Sequence, residues 1–306
     1  MKSSADINDL SDNAHVATAT QAPSRWVDFY ELTKPRMNFL VVVTTVVGFY
    51  MVAGSGTDWV VLIHAILGTA LTAAGASVLN QYLERHLDAR MPRTKDRPLP
   101  GGRVSPLEAL AYGVSLGVAG VIYLTFLVNP LTALLGAITL CSYIFIYTPA
   151  KRWTTLNTVI GAVPGAIPPM MGCAAIQNAI TPESLALFGI LFLWQMPHFL
   201  AIAILYRDDY AAGGFKMLPV VDPSLDTTGR QIILYGMALI PASLLPVGLQ
   251  MAGAVYLTAA VLLGLAYLSY GISCAVTRTR IDARKLFFAS IIYLPVLLAA
   301  MMIDKK

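Results

Sequence analysis

The chain has 306 residues, 57% of them hydrophobic and only 12% charged, with a mean hydropathy of +0.66. A soluble domain carries about 25% charged residues, so this composition excludes a water-soluble globular protein and describes a polytopic protein whose main solvent is the bilayer. The net charge is only +4, so its distribution matters more than its size, and it asks for no nucleic-acid partner.

Residues 1–24 open MKSSADINDLSDN, with one lysine against three aspartates and no apolar run. They read as a disordered cytoplasmic tail, neither a secretory signal nor an Arg-rich transit peptide, which favours a bacterial cytoplasmic (inner) membrane. Residues 25–306 read as one intramembrane domain. Its first stretch, SRWVDFYELTKPRMN, mixes Trp26, Phe29, Tyr30 and Leu32 with charges and predicts an interfacial amphipathic segment. Nine runs then meet or approach the ~20 apolar residues that a spanning helix needs: 37–53, 59–80, 107–128, 131–148, 156–176, 184–205, 231–250, 254–276 and 286–303. Pro and Gly recur inside them, as in Val163-Pro164-Gly165 and Ile167-Pro168-Pro169, which a helical bundle tolerates. With the N-terminus inside, every Lys and Arg falls on the cytoplasmic side except Lys305 and Lys306, which end the chain outside at a terminus expected to fray. The predicted fold is an all-α bundle of nine transmembrane helices with its ionic chemistry on the cytoplasmic face. Cys141, Cys173 and Cys274 fall in apolar segments and are expected to be buried, inert thiols.

Two loops carry the chemistry. The second span ends in NQYLERHLDARMPRTKDRPLPGG, from Asn80 to Gly102. On a helix Asn80, Glu84 and Asp88 line one face over about 12 Å. An amide oxygen and two carboxylates are hard ligands suited to Mg²⁺, which binds through carboxylates and substrate phosphate. Arg90, Arg93, Lys95, Arg97 and Arg103 follow, and guanidinium forks match phosphate oxygens. The sixth span ends in YRDDYAAGGFKMLPV, from Tyr206 to Val220, which again supplies carboxylates, Asp208 and Asp209, then Gly213-Gly214, then Lys216. Two such loops on one membrane face predict a single site, with Mg²⁺ between acidic clusters and a diphosphate held by Mg²⁺ and basic residues.

The first loop reads N-x3-E-x3-D followed by R-T-x2-R, at Asn80, Glu84, Asp88, Arg93, Thr94 and Arg97. In this the chain resembles the UbiA-type intramembrane prenyltransferases. Within that superfamily it is most similar to the protohaem IX farnesyltransferases, or haem O synthases, on LTKPRMN, YTPAKRWTTLNTVIGAVPGAIPPMMG, WQMPHF and DDYAAGGFKMLPV. The second loop departs from the superfamily's D-x3-D: four residues after Asp208 and Asp209 stand Ala212 and Gly213, so the second carboxylate is missing. The resemblance implies a cavity opening low in the membrane on the cytoplasmic side. It implies Mg²⁺ on Asn80, Glu84, Asp88 and one or both of Asp208 and Asp209, with Arg93, Arg97 and Lys216 taking up charge as diphosphate leaves. It implies farnesyl diphosphate as donor and a vinyl group of haem B as acceptor, with water completing haem O. A haem A synthase or oxidase assembly factor would be a partner, within the lipid bilayer.

Other residues have two readings each. His198, about 10 Å deep in the sixth span, is a functional candidate by depth and a haem-iron ligand by type, or else a helix–helix hydrogen bond. Trp194, four residues before it, is placed to pack on a flat macrocycle. Tyr147 and Tyr206 line the site or anchor the interface, and Asn157 bonds the site or glues helices. Lys151 and Arg152 read as ordinary inside charges, His64 as structural, and His86 is unassigned. Two rival functions stand beside the main one: a prenyltransferase of the same class using a quinone precursor, and a transporter. Against the transporter, the acidic groups cluster at one face and no paired charges lie at the midplane.

Overall fold

The computed structural model describes residues 24–306, so the expected tail at 1–23 lies outside the described residues. Among the described residues there is no β-strand, and nine helices are long and apolar enough to cross a membrane. A short helix α1 (Arg25–Leu32) precedes α2 (Pro35–Val52), α3 (Trp59–Asp88) and α4 (Pro106–Leu127). The fourth span is composite: α5 (Pro130–Cys141), a π-helical stretch Ser142–Tyr147, then α6 (Thr148–Trp153). It is followed by α7 (Asn157–Gln177), α8 (Pro182–Leu205), the short α9 (Arg207–Ala212) and α10 (Leu218–Val221), and the last spans α11 (Asp226–Gly248), α12 (Ala254–Thr277) and α13 (Arg280–Ile303). All nine spans stand where hydropathy puts them. The largest differences are at helix ends, where α3, α11 and α13 run on into the polar sequence that hydropathy alone excludes.

Burial orders the bundle. Two-thirds (67%) of the apolar window of α7 is buried against 22% for α4, so α7 is central and α4 faces lipid. The centre is reached by close helix approach rather than by large side chains. A Cβ on Gly172 of α7 would lie 2.0 Å from the Thr45 carbonyl oxygen of α2, and one on Gly48 of α2 would lie 2.0 Å from that of Pro169. Any side chain at either position separates the two backbones, and without a hydrophobic drive between helices in lipid that packing is what holds them. Three prolines inside α7 do not break it, because neighbouring helices surround the freed backbone groups.

Two peripheral expectations are corrected. Cys141 is exposed, on the outer surface of its span, while Cys173 and Cys274 are buried as expected. The C-terminus is not frayed. The Lys305 ammonium donates to the carbonyls of Tyr50, at 2.6 Å, and of Ala53, while Asp304 accepts from the Tyr256 amide at 2.8 Å. A cation at the C-terminal end of α2 meets the carbonyls of the last turn, where the helix dipole is negative.

The interfacial segment is the helix α1. Trp26 and Tyr30 are exposed, and Asp28 and Leu32 are buried against the rest of the protein. Asp28 accepts from Arg103 Nε at 2.7 Å, and the same guanidinium donates to the Asp96 carbonyl at 2.8 Å. Helix α1 thereby clamps the far end of the first loop.

Candidate active site

Helix α3 continues unbroken to Asp88 because Leu83, Glu84, Arg85 and Leu87 are good helix formers, and Pro92 stops it soon after. The expected face forms: Asn80, Glu84 and Asp88 are all buried. Buried carboxylates need partners, and each of the three residues meets a cation. The Lys34 ammonium donates to Asn80 Oδ1 at 3.1 Å, Lys151 to Glu84 Oε1 at 2.8 Å, and Arg97 Nη1 to Asp88 Oδ2 at 2.8 Å. Asn80 Nδ2 donates to Thr148 Oγ1 at 3.1 Å, which fixes the amide with its oxygen toward Lys34. The loop then folds back, with the fully buried Thr94 hydroxyl donating to the Asp88 carbonyl at 2.8 Å. This explains the threonine between the two arginines: it ties the loop to the end of α3 while Arg97 returns to the carboxylate.

Lys34 and Lys151 are the residues that sequence reasoning missed, since both read as ordinary inside charges. Lys34 sits in the left-handed region (φ 49°, ψ 57°) directly before Pro35, a conformation costing of the order of 1–3 kcal/mol for a residue with a side chain. Burial lowers its ammonium to a pKa of about 7, with the Arg97 charge adding to the effect. The signal available in the sequence was a lysine forced against a proline at the start of a span. Lys151 follows the π-helical turn, whose extra residue re-aims the side chains after it. Its ammonium lies 4.6 Å from the Tyr147 ring centre and 5.7 Å from that of Phe215. Gly161 makes room for Tyr147, since a Cβ there would stand 2.4 Å from the ring.

The second loop arrives differently from the first. Lys216 is exposed, and what it brings to the site is backbone: its N–H donates to the Lys151 carbonyl at 2.7 Å and its carbonyl accepts from Asn157 Nδ2 at 2.9 Å. Buried Asn157 is therefore the brace that holds this loop under Lys151. Asp209 lies 3.9 Å from Arg93, whose guanidinium sits 5.0 Å from the ring centre of Tyr206, so that pair links the two loops. Asp208 is not brought to the acidic face: its side chain is 81% exposed and pairs with Arg280 of α13 at 2.5 Å. Among the described residues no three His, Cys, Asp or Glu side chains gather as a metal cluster. What the fold assembles is an amide and two carboxylates on one helix face, while Asp209 of the second loop pairs with Arg93 of the first. An amide oxygen and two carboxylates are the hard ligand type that a divalent cation takes together with an anionic substrate, and each is here paired with a cation that such an anion would draw away.

His198 points to α13. Its ring stacks on Trp194, at 5.1 Å between ring centres and 19° between planes, and on Phe287, at 5.2 Å and 25°. Trp194 thus packs on the imidazole itself, and its indole N–H donates to the Ser290 carbonyl at 2.9 Å. His64 bonds the Tyr123 hydroxyl at 2.8 Å and is structural, as expected. A cleft of about 500 Å³ opens between α12 and α13, with Lys285 at its rim, and one of about 170 Å³ lies among α7, α8 and α11. Neither is lined by the acidic face.

The family profile described as the UbiA prenyltransferase family matches residues 41–292, more than four-fifths of the chain. The chain belongs to the UbiA prenyltransferase family. It is 47% identical to the protohaem IX farnesyltransferase of Solibacter usitatus, over 91% of this chain and 98% of that relative. It is 43% identical to the protohaem IX farnesyltransferase of Myxococcus xanthus, over 94% and 98%. Solved UbiA-type structures share the fold at low identity. A digeranylgeranylglyceryl phosphate synthase superposes with a TM-score of 0.76 at 16% identity, covering 92% of this chain and 98% of that one. A UbiA homologue from Archaeoglobus fulgidus, bound to GPP and Mg²⁺, does so with 0.62 at 15%, covering 90% and 99%. The protein is thus a multi-pass membrane prenyltransferase.

Proposed function

We propose that this UbiA-family enzyme transfers a farnesyl group from farnesyl diphosphate to a vinyl group of haem B, with addition of water, giving haem O and diphosphate. The observation that carries the reading is the acidic face of α3 ringed by Lys34, Arg97 and Lys151, in a chain 43–47% identical to protohaem IX farnesyltransferases over nearly its whole length.

Asn80, Glu84 and Asp88, with Asp209 from the second loop, would hold Mg²⁺, which when bound neutralises diphosphate charge. As the farnesyl C1–oxygen bond breaks, negative charge grows on the leaving oxygens, and Lys34, Lys151, Arg93 and Arg97 stabilise it as preorganised cations. Lys216 acts through its backbone, by bracing Lys151. The Tyr147 ring beside Lys151 offers a π face to the allylic cation, while the apolar surroundings keep water from it. The vinyl terminal carbon forms the new bond to C1, water adds to the porphyrin-side carbon, and the added water gives up a proton. His198, on the helix that leads into the second loop, would offer the haem acceptor an imidazole ligand for its iron.

Incubating membranes with haem B, farnesyl diphosphate and Mg²⁺ should yield a porphyrin heavier by one farnesyl group and one water. EDTA should stop the reaction and Mg²⁺ restore it, as hard oxygen ligands require. An unchanged porphyrin, with a prenylated quinone precursor formed instead, would replace the acceptor; turnover in metal-free buffer would remove the metal from the site. The enzyme works in the bacterial inner membrane with this site facing the cytoplasm. Cysteine reporters at Ser55 and Gln177 should label from outside and those at the exposed Lys95 and Ser224 only from inside; the reverse pattern would put the site on the other face.

A further inference from the structure

We propose that Ser290 is a positioning residue: it holds the proton of His198 on Nδ1, so that the lone pair of Nε2 is presented to the iron of the haem acceptor. The inference rests on the haem reading above and adds to it the residue that makes His198 a ligand.

The hydroxyl of Ser290 lies 2.5 Å from the Phe287 carbonyl oxygen and 2.6 Å from His198 Nδ1. A hydroxyl has one hydrogen to donate and a carbonyl oxygen has none, so the hydrogen goes to Phe287 and Ser290 Oγ accepts from His198. In a neutral imidazole Nδ1 then carries the proton and Nε2 the lone pair. The ring is held in that pose on three sides. Trp194 and Phe287 cover its two faces, and Trp194 is itself fastened to the Ser290 carbonyl. Flipping the imidazole about χ2 would keep both stacks but break the short bond to Ser290, so that bond sets which ring edge faces α13.

The other nitrogen is left open. Nε2 makes no hydrogen bond, yet among the described residues the sealed, unpartnered side-chain polar atoms are the hydroxyls of Thr69 and Thr132 only. His198 Nε2 is therefore unpartnered and not sealed within the bundle. A histidine serving as a helix–helix bond needs only its Nδ1 contact. A histidine with one nitrogen fastened to a fixed acceptor and the other open has the arrangement of a metal ligand, whose second nitrogen donates to a neighbour that sets the tautomer. Ser290 and His198 are 92 residues apart on α13 and α8, so this pairing is made by the packing of those helices.

The experiment compares Ser290→Ala, Ser290→Thr and His198→Ala in the full chain, purified in detergent. Haem B and farnesyl diphosphate are titrated separately, and the iron–histidine stretch of the ferrous haem complex is read by resonance Raman. Ser290→Ala should weaken haem B binding by ~10- to 100-fold, the range seen when such outer partners are lost, lower the iron–histidine stretch, and leave farnesyl diphosphate affinity unchanged. Ser290→Thr keeps the hydroxyl and should restore both haem readouts. Ser290→Ala with normal haem affinity and an unshifted stretch, beside a His198→Ala variant that has lost both, would overturn the positioning role and leave the haem reading standing. Normal haem affinity in His198→Ala would remove the iron-ligand reading and the role of Ser290 with it. Equal weakening for both substrates with no spectral change would make Ser290 a packing residue and also overturn the proposal.

Discussion

Glu84→Gln and Asp88→Asn are each expected to cut turnover by ~10²–10³-fold or more, the effect of removing one preorganised charge from a water-excluded site. Both substitutions keep the shape and hydrogen-bonding reach of the side chain. Helix α3 keeps its local helix formers and should not unfold, but each variant leaves Lys151 or Arg97 without its carboxylate, so a lowered melting temperature is expected beside the loss of turnover. What changes is the sign of the site. Glu84 faces Lys151 at 2.8 Å and Asp88 faces Arg97 at 2.8 Å. With either charge gone, the diphosphate meets the cations but not the metal that would bridge them. The check is turnover measured on variants whose yield and melting temperature in detergent are established first. Full activity in a well-folded Glu84→Gln or Asp88→Asn protein would sink the assignment of α3 as the metal-bearing face.

Lys151→Met is expected to act on stability as well as on rate. Lys151 and Glu84 are both largely buried, with 13% and 7% of their side chains exposed. Removing one partner of a buried pair costs ~3–5 kcal/mol because the other charge is left uncompensated. Replacing both by residues of similar shape is often neutral. The double variant Glu84→Gln, Lys151→Met should therefore recover most of the melting temperature lost in Lys151→Met, and none of the turnover. Thermal unfolding in detergent and the haem O assay, run on the same three proteins, separate the two effects. Recovered turnover in the double variant would mean that the pair holds the bundle together and does no chemistry.

The nine spans and the acidic face of α3 were legible before any coordinates, because both are written in local periodicity. A span is a run of ~20 apolar residues, and i, i+4, i+8 spacing puts Asn80, Glu84 and Asp88 on one side of any helix that continues through them. The family motif over Asn80 to Arg97 is likewise contiguous. Which cation meets which acid is not written locally. Lys34 reaches Asn80 across 46 residues, Lys151 reaches Glu84 across 67, and Arg280 draws Asp208 away across 72. Lys216 stands in the right loop, yet its side chain faces out while its backbone carries Lys151. Trp194, four residues from His198, has the spacing of a residue facing a ligand, but it stacks on the imidazole because α13 brings Ser290 and Phe287 against both. The sequence by itself determined the membrane-spanning bundle and the helix face that bears the acids, since hydropathy and helical pitch are properties of consecutive residues. The tertiary structure alone decided the partners of those acids and the free nitrogen of His198, since these depend on which helices pack together, and Gly48 and Gly172 set one such approach through backbone contact that no periodicity encodes.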